Sequence, residues 1–414
     1  MAERLARRLG TTDAVVVGLS AMIGAGVFVA FAPAVRAAGS WLLASLALAA
    51  VVAYCNATSS ARLAALYPES GGTYVYGRQR LGPFWGYLAG WGFTVGKTAS
   101  CAAMALTFGA YVAPALAQPL AIGAVAGVTG LNLLGVQRSA GAARIMIVFV
   151  LAVLGTVIAA GLLATSAPPP VAVTSAGGGT VPGVLQGAGL LFFAFAGYAR
   201  IATLGEEVRD PSRTIPRAVG IALVITLAVY TLVAISALKA LGPERLGRSP
   251  APLAELARAA QLPWLVPVVT AGAAVAALGA LLALVLGVSR TVLAMARNRD
   301  LPGFLDAVHP GRQVPHRAEL AVGLTVIVLL MLADLRGAIA FSSFGVLVYY
   351  AIANASALTL RAGEGAPRRA VPVIGLVLCL VLAFTLPWQA VVAGLAVFAV
   401  GVLLWFLRHR AALR

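Results

Sequence analysis

Apolar runs long enough to cross a bilayer recur along most of this 414-residue chain. A hydrocarbon core of about 30 Å needs about 20 apolar residues in one helix. Only 10% of the residues are charged, whereas soluble domains carry about 25%. The pattern predicts an all-α integral membrane protein with about 12 transmembrane helices. The apolar runs lie near residues 13–37, 40–66, 83–113, 118–134, 139–163, 184–205, 216–240, 262–295, 317–333, 337–360, 370–386 and 387–407.

The net charge of +17 follows the positive-inside rule when the N-terminus is placed in the cytoplasm. Most arginines then fall in the inner loops and in both tails. The outer side keeps few basic residues: Arg36, Lys239, Arg245, Arg248, Arg258 and Arg336. An even number of spans places both basic tails on the cytoplasmic side, as this rule requires. We therefore expect a multi-pass protein of the cell membrane with both termini cytoplasmic, whose surroundings are the lipid bilayer and not nucleic acid.

The residues that usually build enzyme or metal sites are few and scattered. The first apolar run is too long for the core of a signal peptide, so we expect it to remain as the first helix. The cysteines lie inside apolar runs without paired spacing: Cys55, Cys101 and Cys379. The histidines lie in loops or in the tail: His309, His316 and His409. This distribution predicts neither an enzyme nor a cofactor or metal site.

The first and sixth runs contain glycines where a continuous helix would disfavour them. Residues 22–28 read MIGAGVF, and residues 192–198 read FFAFAGY. Glycine permits a helix to unwind, and unwound backbone inside a membrane is tolerated only where it is buried in protein or lines a cavity. A matched pair of interruptions indicates a substrate site near the middle of the membrane. The alternative is that the glycines only allow helices to pack closely.

Four segments carry further motifs in the same order along the chain. They are residues 23–28, residues 67–74 (YPESGGTY), residues 192–218 and residues 295–302 (MARNRDLP). Together they resemble the amino acid-polyamine-organocation superfamily, and the stretch around the sixth run is the most specific. The resemblance implies an amino acid permease with a five-plus-five inverted repeat, discontinuous helices one and six, and alternating access.

The domain boundaries follow from the apolar runs and from this resemblance. We expect a cytoplasmic tail over residues 1–12, a first five-helix repeat over 13–163 and a second, inverted repeat over 184–360. Two additional helices would cover 370–407, before a cytoplasmic tail over 408–414. The oligomeric state is left open.

Two interrupted helices can bind a zwitterion through the backbone alone. The half-helix after Gly24 and Ala25 would direct free N–H groups at a carboxylate, and Gly26 would leave room for its approach. Carbonyl groups freed at both interruptions would accept from the ammonium group, as the resemblance implies, and the neighbouring side chains would set specificity. The predicted substrate-binding residues are Ile23, Gly24, Ala25, Gly26, Phe193, Ala194, Phe195, Ala196, Gly197 and Tyr198.

Lys97 lies in the middle of the third run, and an ionisable residue at that depth indicates a functional site. It is either a structural amine bonded to carbonyls of the interrupted helices, or a fixed cation or proton carrier. Relatives in the superfamily often place such a lysine on helix five, but residues 145–150 contain none. Sodium coupling is disfavoured, because residues 272–288 of the eighth run carry no side-chain oxygen.

The charge next to the sixth run bears on the substrate. Relatives that transport basic amino acids carry an acidic residue just after the interruption, whereas this chain has Arg200. Glu206 and Glu207 follow toward the cytoplasm as a gate or loop anchor, and Glu319 is expected at a membrane interface. We therefore favour a neutral amino acid, with an acidic one as the second choice, moved by a proton-linked or sodium-independent symporter or antiporter. The alternatives are an exchanger of cationic amino acids or amines and a non-transporting amino acid sensor.

Overall fold

The computed structural model describes residues 9–68, 71–135, 140–164, 179–202 and 208–411. Within these ranges the chain is helical, and its β-type pairing is an isolated bridge between Leu9 and Val208. The helices are α1 (Thr11–Met22), α2 (Gly26–Val29), α3 (Phe31–Ala38), α4 (Leu42–Leu66), α5 (Thr73–Arg80), α6 (Pro83–Val112), α7 (Ala117–Leu133), α8 (Ala140–Leu163), α9 (Val181–Phe195), α10 (Ala199–Ala202), α11 (Pro211–Arg248), α12 (Pro252–Ala259), α13 (Leu265–Arg297), α14 (His316–Leu332), α15 (Leu335–Leu358), α16 (Ala370–Thr385) and α17 (Trp388–Ala411).

The apolar runs fall on these helices in chain order. Across the described residues, nine helical stretches have the length and hydropathy needed to cross a membrane. The helix α16 is also apolar but shorter than these nine. Large apolar side chains remain exposed on the outer faces, for example Leu403 at 58% and Val392 at 56% on α17. In water such a surface would be costly, but in lipid it is the expected one.

Small residues allow the central helices to approach closely. Gly345 of α15 faces Gly96 of α6, and a Cβ atom added at Gly345 would lie 2.9 Å from the Gly96 Cα atom. α6 also packs along α13, so it lies between two long helices. Close contact through small residues is typical of helices in membranes, where van der Waals packing stabilises association.

Ionic contacts join the short helix α5 to distant loops at one end of the bundle. The carboxylate of Asp300, only 5% exposed, accepts from the Tyr74 hydroxyl at 2.7 Å and from Arg78 at 2.9 Å. Arg80 donates to Glu364 at 2.6 Å, and this hydrogen bond holds the pKa of that carboxyl below its usual range. These contacts tie the loop after α13 and the loop after α15 to the same short helix.

Candidate functional site

The first candidate segment lies between α1 and α2. The Ile23 backbone leaves the helical conformation with φ −84° and ψ 52°, while its N–H still donates to Leu19 O at 2.7 Å. The helical path resumes at Gly26, and Ala30 N donates to Gly26 O at 2.9 Å. Since the last carbonyls of a helix lack partners within it, the end of α1 presents acceptors to other parts of the protein.

The second candidate segment follows α9. The helix ends at Phe195, a 3₁₀ turn covers Ala196–Tyr198, and α10 continues from Ala199. The side chain of Phe193 is 7% exposed and that of Tyr198 is fully buried. The helices thus end at the positions where the glycines predict interruptions, and the freed backbone is enclosed by protein as the membrane requires.

The two interruptions are in direct backbone contact. A Cβ atom added at Gly197 would lie 2.3 Å from the Ala21 carbonyl oxygen, and one added at Gly26 would lie 2.9 Å from the Ala194 Cα atom. Real Cβ atoms do not approach other atoms this closely, so each contact requires glycine. The two predicted segments therefore touch where the two helices cross.

Tyr230 of α11 bridges the two helix ends. Its hydroxyl lies 2.6 Å from Met22 O and 3.0 Å from Ala194 O, and it can donate to either carbonyl. The side chain is fully buried, with its ring centroid 5.0 Å from that of Phe195 and 6.3 Å from that of Phe31. Two carbonyl groups at the helix ends are thus already within reach of a protein donor.

Lys97 extends from the middle of α6 to the second interruption. Its Nζ atom donates to Ala196 O at 3.2 Å, and the residue is 7% exposed. This contact is the one expected if Lys97 is an amine bonded to a carbonyl of an interrupted helix. It also places a cationic group beside the backbone that was predicted to accept from a substrate ammonium.

A polar cluster lies behind the second interruption. The Tyr198 ring packs against the Tyr350 ring of α15, with centroids 5.1 Å apart and an angle of 34° between the ring planes. Asn354 donates to Asn56 Oδ1 at 2.6 Å and accepts from Ser59 at 2.7 Å. Tyr198 is therefore fully buried against Tyr350 and does not open onto solvent.

A further buried tyrosine, Tyr111, contacts the short helix α2. The Tyr111 hydroxyl donates to Phe28 O at 2.8 Å and accepts from Leu253 N of α12 at 3.2 Å. Its ring meets the Phe28 ring edge-on, with centroids 5.7 Å apart. Neither Tyr111 nor Tyr230 was predicted as a site residue, because an isolated tyrosine in an apolar run has the same pattern as a packing residue.

The remaining predicted polar residues have different surroundings. Arg200 lies in α10, directly after the second interruption, and its side chain is partly buried. Glu206 and Glu207 lie outside the described residues. Glu319, expected at an interface, is fully buried by protein on α14, and neither of its carboxylate oxygens has a well-aligned hydrogen bond. Among the described residues, no group of three or more His, Cys, Asp and Glu side chains could hold a metal ion.

Comparison with known proteins supplies a family for this arrangement. The model of a family described as "Amino acid permease" matches residues 9–408. An uncharacterized transporter of Mycobacterium tuberculosis is 64% identical over 98% of this chain and 92% of its own length. A vacuolar cationic amino acid transporter of Arabidopsis thaliana is 30% identical over 87% of this chain and 60% of its own. A branched-chain amino acid permease of Bacillus subtilis is 25% identical over 99% and 94%.

These matches cover nearly the whole chain, including both interruptions and the helices around them. The names of the relatives describe transporters and permeases and not enzymes. The resemblance to the amino acid-polyamine-organocation superfamily is confirmed. The protein is a multi-pass membrane transporter, and it belongs to the amino acid permease family.

Proposed function

We propose that this member of the amino acid permease family is a secondary active transporter of neutral amino acids that works by alternating access. In this proposal residues 13–163 and 184–360 form the two inverted repeats, residues 370–407 add two helices, and both termini are cytoplasmic. Twelve helices cross the membrane. The substrate binds where the first and sixth spans are interrupted.

The observation that carries the proposal is the contact between the two interruptions. Helix ends supply carbonyl groups and helix starts supply N–H groups, so crossing interrupted helices can bind both charges of a zwitterion. The Gly197 and Gly26 contacts bring the two backbones together without intervening side chains. A backbone site of this kind recognises the part that all amino acids share, which leaves the surrounding side chains to select among them.

The preference for a neutral substrate rests on charge near the site. Residues 14–38 and 181–202 contain no Asp or Glu, whereas the basic residue Lys97 contacts the second interruption and the basic residue Arg200 follows it. A third positive charge on the substrate would be repelled in a medium of low dielectric constant. Relatives include both a cationic amino acid transporter and a branched-chain amino acid permease, and the charges favour the second type of substrate.

Lys97 supplies the coupling in this proposal. Its ammonium group lies beside Ala196 O, where it takes the place of a bound cation or carries a proton through the cycle. Transport then requires no sodium, in agreement with the lack of side-chain oxygens over residues 272–288.

The test is uptake into proteoliposomes containing the purified protein. Radiolabelled L-leucine or L-alanine uptake should be inhibited more by neutral amino acids than by L-arginine, L-lysine or putrescine. Replacing sodium by potassium or choline should leave the rate unchanged. A dibasic amino acid as the best competitor would refute the neutral preference, and uptake only against preloaded amine would identify an exchanger. Binding without any flux would identify a sensor.

A further inference from the structure

Glu319 lies in the first turn of α14, and its side chain is fully buried where α14 packs against α6, α7 and α13. Neither carboxylate oxygen has a hydrogen-bond partner, and among the ion pairs of the described residues none includes Glu319. An ionised carboxylate is costly to bury without donors, and a carboxyl in such surroundings becomes neutral instead. The burial of Glu319 therefore calls for a proton.

The helix next to it, α7, runs antiparallel to α14. Near the start of α7, Gln118 Nε2 donates to Leu330 O, close to the end of α14, at 2.8 Å. At the other end of α7, Leu133 O accepts from the Arg312 guanidinium, a few residues before α14, at 3.1 Å. These two contacts fix the register of the pair along its whole length.

This register brings an unpaired acceptor of α7 to the level of Glu319. Thr129 meets α14 at Gly323, where an added Cβ atom would lie 2.7 Å from Thr129 Oγ1. Because the pair is antiparallel, the next turn places Asn132 of α7 level with Glu319 of α14. Asn132 Nδ2 donates to Leu282 O of α13 at 3.5 Å, whereas Asn132 Oδ1 has no partner.

An ionised carboxylate only accepts hydrogen bonds, whereas a protonated carboxyl has one O–H group to donate. We propose that Glu319 is a proton-binding site of the helix bundle, in which the protonated carboxyl donates a hydrogen bond to Asn132 Oδ1. One proton then satisfies two buried groups. Its loss would leave an anion facing an amide oxygen between α7, α13 and α14. The site is separate from the two interruptions and goes beyond the proposed transport function.

Charged groups on the surrounding elements do not replace this proton. α13 places Ser289 and Arg290 beside the carboxyl, but the Ser289 hydroxyl donates to Leu286 O at 3.0 Å and Arg290 is exposed. α7 carries no charged residue. Among the described residues, none of the other titratable side chains on α6, α13, α14 and the 3₁₀ turn Gly303–Asp306 is hydrogen-bonded to Glu319. These side chains are Tyr87, Lys97, Cys101, Tyr111, Arg297, Asp306, His316 and Arg317.

The first experiment detects the proton by infrared spectroscopy of the purified protein at about pH 7, where an ordinary Glu is ionised. The wild type should show the C=O stretching band of a protonated carboxyl, and Glu319→Gln should lack it. Asn132→Leu, which removes the acceptor, should move the band to higher frequency. Glu364→Gln is the matched control: that carboxylate accepts from Arg80 at 2.6 Å and from Arg361 N at 2.8 Å, so its replacement should leave the band unchanged.

The second experiment measures melting temperature against pH. The folded protein keeps a proton that the unfolded chain releases, so the free energy of unfolding falls as pH rises. Between about pH 6 and about pH 9, the melting temperature of the wild type should fall by about 5 °C more than that of Glu319→Gln. Gln keeps a neutral donor at this position and should remove that part of the pH dependence.

The proposal is overturned if the wild type lacks the acid band, or if the band persists in Glu319→Gln. It is also overturned if sodium or potassium chloride raises the melting temperature of the wild type but not of Glu319→Gln, which would assign a bound cation. Equal destabilisation by Glu319→Gln and Arg290→Gln would assign an ion pair instead. If Glu319→Gln does not fold, Asn132→Leu decides: a shifted band supports the assignment, and an unmoved band overturns it. Neither experiment uses a substrate, so failure here leaves the transport proposal intact.

Discussion

Alanine at Gly197 introduces one methyl group at the point where the two interrupted helices touch. The added carbon would lie 2.3 Å from Ala21 O, 2.4 Å from Ala21 C and 2.6 Å from Met22 N. All three are backbone atoms, so no rotamer change can relieve the overlap. The helices must separate by about 1 Å to restore normal contact distances of about 3.5 Å.

The cost follows from the nature of the atoms in contact. Inserting a methylene group into a packed core costs about 1–3 kcal/mol. We expect a cost at the upper end of this range for Gly197→Ala, because the atoms in the way belong to the backbone and cannot rotate aside. A separation of that size also disturbs the carbonyl groups next to Tyr230. We expect substrate affinity to fall by about 30- to 100-fold, the equivalent of about 2–3 kcal/mol.

Gly24→Ala is the matched control, because it adds the same methyl group in the other interruption. There the nearest atom is the Ala280 methyl carbon at 3.2 Å, and a shift of a few tenths of an ångström accommodates it. We expect a loss of less than about fivefold, or about 1 kcal/mol. Leucine at either position should abolish binding while the protein remains inserted in the membrane.

Affinities are measured by thermal shift and by equilibrium binding of L-leucine and L-alanine to purified protein, with insertion checked by membrane fractionation. The reasoning is refuted if Gly197→Ala binds as tightly as the wild type, or if Gly24→Ala is the more damaging of the two. Unchanged affinity in both leucine variants would remove the substrate site from the interruptions altogether.

Two further predictions concern coupling and stability. Wild-type flux should depend on pH, and Lys97→Ala should still bind substrate but lose the pH response. Normal pH-dependent flux in that variant would make Lys97 a structural residue. A strong sodium requirement of the wild type would contradict the coupling proposal. Asp300→Asn should lower the free energy of unfolding by about 2–3 kcal/mol, because a buried carboxylate bonded to two donors is lost. Asp306→Asn, which removes one side of an exposed ion pair, should lower it by less than about 1 kcal/mol. Equal melting temperatures of the two variants would refute this difference.

Glycine made the interruptions predictable from sequence. The helices end at Met22 and at Phe195, each two residues before the glycine that was expected to break it, Gly24 or Gly197. The turn at Gly39 is a further example, since its φ of 58° separates α3 from α4 between the first two apolar runs. The backbone freedom of glycine is a property of that residue and does not depend on distant contacts. Helix interruptions and turns at glycine can therefore be predicted from a single sequence.

The donors that meet the interruptions could not be predicted in this way. Tyr230 lies 208 residues beyond Met22, and only the packing of α11 against α1 brings its hydroxyl to that carbonyl. The burial of Glu319 shows the same limit. This residue lies near the start of an apolar run, where a position at a membrane interface was expected, and its full burial follows from the packing of α13 and α7 against α14.

The occupied carbonyls also link the proposed coupling to the proposed substrate site. Tyr230 lies within donor distance of Met22 O and Ala194 O, and Lys97 donates to Ala196 O, so the protein already places donors where the ammonium group of a substrate would bind. A substrate that enters must therefore join or displace these donors. In the proposed mechanism, the substrate displaces the Lys97 ammonium from Ala196 O, Lys97 can then lose its proton, and a protonated Lys97 competes with the substrate for the same carbonyl. Because such linkage is reciprocal, the factor by which the substrate changes proton binding at Lys97 equals the factor by which protonation changes substrate affinity.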